Sequence, residues 1–267
     1  MKKFLGFFCV VAGAAFCNSL PAQDAKKEIQ RYQRMIAEGS PVELFELQGE
    51  ELWKKPQGPK NVSLEQCDLG LGAGVVKGAY ARLPRYFKDA DRVMDLESRL
   101  LHCMMTLQGR TREQAASRVF GNDERPSEME LLSAYLAGQS RGARMSPGTT
   151  HSQEKQSYEF GRRLFFHRAG AWDFSCASCH GEEGKRIRMQ ELPALYKPEH
   201  ARPVMATWPA YRVSNSQFKT MQWRLNDCYR QMRMPEPNFA SEVTVALTMF
   251  LAATGKGEPY RGPGTKR

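Results

Sequence analysis

Phe174-Ser175-Cys176-Ala177-Ser178-Cys179-His180-Gly181 contains one Cys-x-x-Cys-His run, the signature of covalent haem c attachment. On a helical turn the two thiols can both reach haem vinyl groups while the adjacent imidazole meets the iron. A redox-active Cys-x-x-Cys pair does not need the following histidine. A zinc site would need further closely spaced ligands, and none follow. Gly161, Leu164 and Phe165 upstream fall at helical spacing, with Gly181 and Gly184 behind the motif. Cys176 and Cys179 are therefore the expected attachment points of one haem c, with His180 as an iron ligand.

The ligand on the other face of the iron is less plain. Met232 and Met234 lie in an Arg-Met-Pro context that suits a small cytochrome, Cys228 is equally well placed, and His200 stands in a Pro-rich loop. The cysteine count bears on this choice. Of seven cysteines, Cys9 and Cys17 lie in an N-terminal segment with a basic start, a short apolar run and small residues near Ala22. That segment, residues 1–22, reads as a secretory signal peptide, so the mature protein is expected in the periplasm. In an oxidising compartment thiols pair unless otherwise occupied. Haem claims two of the remaining five cysteines, two more can pair, and one is left over. An unpaired Cys228 is better explained by coordination or chemistry than by packing. Arg224, Arg230 and Arg233 surround it in sequence and would favour a thiolate and an anionic substrate. The competing reading of these arginines is a solvated helix face.

Working outward, the chain has 267 residues and a formal net charge of +10. From Gly181 to Met234 there are 10 Lys or Arg against 5 Asp or Glu, an excess that points to a small anion or an acidic protein partner. No long basic run marks a nucleic-acid tail. No later segment approaches the ~18 consecutive apolar residues of a membrane span. An amphipathic stretch at Lys26–Ala37 suggests a first helix or arm, and Gly70–Gly78 reads as loop. Helical spacing begins beyond Asp89 with Val93, Leu96, Leu100, Leu101, Met104 and Leu107, and Gly109 supplies a stop. Ser127 and Glu130 form a capping box ahead of another helix.

The second half repeats this plan. Leu247-Thr248-Met249-Phe250-Leu251-Ala252 matches Leu132-Ser133-Ala134-Tyr135-Leu136-Ala137, and Arg224-Leu225-x-x-Cys228 echoes Arg99-Leu100-x-x-Cys103 in the same order. No alternating strand of useful length is present, and Arg141–Gln156 has linker composition. The expected fold is mainly α: two tandem cytochrome c-like domains, residues 23–145 and 146–267, the first lacking a haem motif.

The motif, Trp223-Arg224-Leu225-Asn226-Asp227-Cys228 and Asp95-Leu96-Glu97-Ser98-Arg99-Leu100 together resemble SoxA, the larger cytochrome subunit of the SoxAX complex of bacterial thiosulfate oxidation. The resemblance extends over nearly the whole mature chain. It implies that Cys228 ligates the haem iron, carries a persulfide and is the site of substrate chemistry, with Arg224 beside it to bind substrate. Two-haem members carry a second Cys-x-x-Cys-His, whereas here Cys67 stands alone in Gln66-Cys67-Asp68. This is similar to the single-haem type, in which a disulfide, here Cys67 with Cys103, replaces the lost haem. The activity implied is that of an L-cysteine S-thiosulfotransferase, joining thiosulfate to a cysteine of the carrier SoxYZ. SoxX would be the partner cytochrome in a heterodimer. A plain electron-transfer cytochrome and a thiosulfate dehydrogenase forming tetrathionate are the alternatives that the residues leave open.

Overall fold

The computed structural model describes residues 41–122, 125–187 and 190–266. The segment 1–22 and the stretch Lys26–Ala37 lie outside the described residues. The elements follow in chain order as α1 (Val42–Lys54), β1 (Arg85–Phe87), β2 (Arg92–Met94), α2 (Leu96–Thr106), α3 (Arg112–Ala115), α4 (Glu128–Gly138), α5 (Ser152–Phe166) and α6 (Cys176–His180). Then come β3 (Arg186–Ile187), β4 (Gln190–Glu191), α7 (Pro198–Met205), β5 (Ala210–Arg212), β6 (Gln217–Lys219), α8 (Met221–Gln231), α9 (Glu242–Thr254) and β7 (Gly264–Lys266). The described chain is mainly helical. Its strands are two or three residues long, too short for a period of two to show in sequence.

Two helix pairs carry most of the packing, α1 with α4 and α5 with α9, and each closes on a glycine. A Cβ on Gly49 would lie 2.1 Å from the Leu131 carbonyl oxygen and 2.8 Å from Tyr135 Cβ. A Cβ on Gly161 would lie 1.9 Å from the Ala246 oxygen and 2.9 Å from Phe250 Cβ. Leu131 and Tyr135 stand to the first matched segment as Ala246 and Phe250 stand to the second, so the repeat in sequence is a repeat of one close helix crossing.

Caps fix where these helices begin. Asp95 starts α2 by accepting from Ser98 N, with Ser98 Oγ answering to Asp95 N at 2.9 Å. The helix therefore begins at Leu96, while Val93, which shares its apolar spacing, belongs to β2. Ser127 and Glu130 make the reciprocal box of α4. His151 and Glu154 do the same for α5, so the last residues of the linker-like stretch are helix. Thr220 and Ser241 cap α8 and α9.

Buried apolar residues gather in two principal clusters. One runs from Trp53 to Leu136 and includes Leu64, Leu69, Met94, Leu100 and Met104. The other runs from Phe165 to Ala252 and includes Trp208, Met221, Leu225, Leu247 and Phe250. Both belong to one compact unit, Gly39–Arg267. Between them the N-termini of α2 and α8 meet: Gln222 donates from its backbone to Glu97 Oε2 at 3.1 Å and from its side chain to Asp95 Oδ2 at 2.8 Å. Nearby Lys219, 2 % exposed, pairs at 3.0 Å with the fully buried Glu130. In the first cluster Cys67 and Cys103 are joined in a disulfide.

Candidate haem and sulfur site

The Cys-x-x-Cys-His motif forms the short helix α6, which starts because Ser175 and Ser178 cap it reciprocally. Apolar side chains surround it: Phe174, Leu164, Phe165, Leu195 and Tyr229 share one cluster with Cys176. Burial pushes the Cys176 thiol up to about 12, helped by the neighbouring Cys228 and partly offset by a backbone hydrogen bond.

His180 is aimed by one contact. Its Nδ1 lies 2.9 Å from the Pro193 carbonyl oxygen, which can only accept, so the proton sits on Nδ1 and Nε2 is left with its lone pair outward. Burial holds its pKa below the usual imidazole value, against the Pro193 hydrogen bond, which raises it. A neutral, pre-oriented imidazole beside two half-buried thiols on one turn fits haem c.

Helix α8 brings Cys228 to the same place. Cys176 and Cys179 are both within electrostatic reach of the Cys228 sulfur. Burial raises the Cys228 pKa; Arg224 and Arg212 oppose the rise, and Asp227 adds to it. The effect expected from the arginines is present, but desolvation outweighs it. Arg224 lies one turn before Cys228 and donates from Nη1 to Asp227 Oδ2 at 2.6 Å. Gln231 donates to the same oxygen at 2.8 Å.

Of the other residues singled out in the sequence, Arg230 borders the site through Asp227 and the rest are engaged elsewhere. Arg230 pairs with Glu236 at 2.7 Å and Asp227 at 3.6 Å, 43 % exposed. Arg233 lies over the Trp172 ring at 5.9 Å. His200 Nε2 is 3.7 Å from Glu183 Oε1, in a surface group with Lys197. Met232 is buried in the second cluster, and Met234 packs against Gly170, where a Cβ would meet its Cγ at 2.8 Å. Arg212, on β5, is not apparent from sequence: a three-residue strand carries no periodic signal, and no motif surrounds it.

The family model described as SoxA/TsdA, cytochrome c domain, matches residues 48–145, the part with the disulfide and no Cys-x-x-Cys-His. Over the whole chain and the whole relative, the sequence is 49% identical to the L-cysteine S-thiosulfotransferase subunit SoxA of Hydrogenophilus thermoluteolus. It is 35% identical to a protein of the same name from Hydrogenobacter thermophilus, again over 100% of both chains. The crystal structure of SoxXA from P. pantotrophus shares the fold with a TM-score of 0.72 at 21% identity, covering 89% of this chain and 84% of that one. Among the described residues no helix is long and apolar enough to cross a membrane. With full-length identity at this level, the chain belongs to the SoxA family of L-cysteine S-thiosulfotransferase subunits.

Proposed function

We propose that this chain is the catalytic cytochrome subunit of a thiosulfate-oxidising complex, an L-cysteine S-thiosulfotransferase that conjugates thiosulfate to a cysteine of a SoxYZ-type carrier. The observation that carries the proposal is the convergence of Cys228, Arg224 and the Cys-x-x-Cys-His helix in one half-buried site. Residues 23–145 and 146–267 are read as tandem cytochrome c-like domains, the first stapled by Cys67–Cys103 in place of a haem. The repeated glycine crossing supports that division. The segment 1–22 directs export to the periplasm, where a SoxX-type cytochrome is the partner of a heterodimer.

Cys176 and Cys179 would hold one haem c covalently, and His180 and Cys228 would be the residues that ligate its iron. When bound, the group supplies a one-electron redox centre and a metal for the Cys228 sulfur. The chain's own residues do the rest. Arg224 and a neighbouring cation bind the thiosulfate dianion and lower the repulsion between two anionic sulfurs. Cys228, as a persulfide, presents sulfur to the thiosulfate that these cations orient. In the complete reaction a carrier thiol and thiosulfate give the cysteine S-thiosulfonate, one proton and two electrons, the electrons leaving to an acceptor cytochrome. A new S–S bond forms and the S–H bond of the carrier breaks.

Replacing Cys228 by Ala tests this. Conjugation should fall to background while the protein keeps its covalently attached haem. Normal turnover by the variant contradicts the assignment, and tetrathionate formation by the wild type without any carrier favours a thiosulfate dehydrogenase instead.

A further inference from the structure

Arg212 is a half-buried cation that reaches the Cys228 site from a different element than Arg224. It ends β5, which pairs antiparallel with β6 and parallel with β7, so that Lys266 stands beside it in strand register. Its Nε is buried and finds no hydrogen-bond partner among the described residues. Burial pulls its pKa below the usual arginine value, with Arg224 acting in the same direction, while Asp227 and Cys228 oppose. Asp227 is already committed to Arg224 Nη1 and to Gln231. Lys266 is held by Thr207 Oγ1 at 2.7 Å, and its pKa is brought down to about 8 by burial and by Arg212 and Arg261. Arg212 and Arg224 thus share the Asp227 carboxylate and the Cys228 sulfur, with Lys266 behind Arg212. A buried Nε–H without an acceptor is costly unless an anion completes it.

We propose that Arg212 is the second substrate-binding cation of the Cys228 site, its guanidinium fork taking oxygens of the sulfonate end of a sulfur oxyanion while Arg224 takes the remainder. The sulfane sulfur is then left directed at Cys228. Arg230 and Arg233 are poorer candidates for this role, since Glu236 and the Trp172 ring occupy them. A guanidinium offers paired donors in a plane, which matches two oxygens of an SO3 group better than an ammonium does. Lys266 adds charge behind Arg212 without touching substrate. The assignment rests on the reading of Cys228 as the site of sulfur chemistry.

The test is equilibrium binding of thiosulfate to the haem-loaded complex, by calorimetry without carrier, alongside steady-state conjugation with carrier. Arg212→Gln should weaken the thiosulfate Kd at least about tenfold and raise KM in parallel, with kcat changed far less. Arg212→Lys should recover part of the loss but stay roughly threefold weaker than the wild type. If Arg212→Gln does not fold, the lysine variant carries the test, and a wild-type Kd in it overturns the proposal. An unchanged Kd in Arg212→Gln with an altered haem spectrum would assign Arg212 to the haem carboxylates and also overturn it. Failure of the wild type to conjugate thiosulfate to the carrier refutes the underlying reading separately, because the binding measurement does not depend on turnover.

Discussion

Cys228 is governed by two opposing influences. Burial favours the neutral thiol, while Arg224 and Arg212 favour the anion. From sequence only Arg224 and its near neighbours are visible, because residues one turn apart on a helix announce themselves by spacing and a residue on a short strand does not. Buried acids are similarly hidden. Asp95 and Glu97 look like ordinary helix-start residues, yet both are nearly inaccessible, and burial, reinforced for Glu97 by Asp95, raises their pKa values, Glu97's well above the usual range. A carboxyl whose folded pKa is raised imposes no cost below its unfolded pKa; the cost grows as pH rises from there through the folded value. Glu97→Gln should therefore stabilise the protein at pH 7, because the amide removes the cost of ionising a buried carboxyl and keeps an oxygen that can accept from Gln222 N. Thermal unfolding by far-UV circular dichroism should show the gain shrinking toward pH 4. A variant less stable at both values would contradict this.

Among the elements, legibility follows local chemistry. Helix α4 is readable because Ser127 and Glu130 mark its start, and α2 is readable except for its first turn, where Asp95 and not the apolar spacing sets the boundary. Helix α1 is not, because it starts at Pro41 with no side-chain cap and buries only Val42, Gly49 and Trp53. Helix α7 is hidden by Pro198 and Pro203, although a proline at the first helical position suits a helix start. The glycine crossings are the strongest element-level constraint, and their role depends on partners far away in sequence. Gly161→Ala must push α5 off α9 because the new Cβ meets backbone, which cannot rotate away. The expected loss is about 2 kcal/mol or more in urea unfolding. A loss below ~0.5 kcal/mol would show that the helices separate freely.

For the molecule as a whole, the matched segments in the two halves are legible as a repeat, while the way the halves meet is not. Gln222, Asp95 and Glu97 join them through hydrogen bonds across more than a hundred residues of sequence, which no local pattern encodes. The first half lacks the Cys-x-x-Cys-His that would anchor a haem and instead carries the Cys67–Cys103 bridge, closing a loop with a sequence separation of 36. Such a loop constrains the unfolded chain by about 3 to 4 kcal/mol. Replacing both cysteines by Ser should lower the unfolding free energy by that order, and an unchanged urea midpoint would contradict the staple.

Sulfur chemistry at Cys228 is what the proposed function stands on. The most direct measurement is mass spectrometry of the Cys228 peptide during thiosulfate turnover, with and without the carrier. Sulfur-adduct masses on Cys228 are expected, with thiosulfate consumption only when carrier is present and a thiosulfonate on the carrier cysteine. An unmodified Cys228 throughout sustained, carrier-dependent turnover would contradict it.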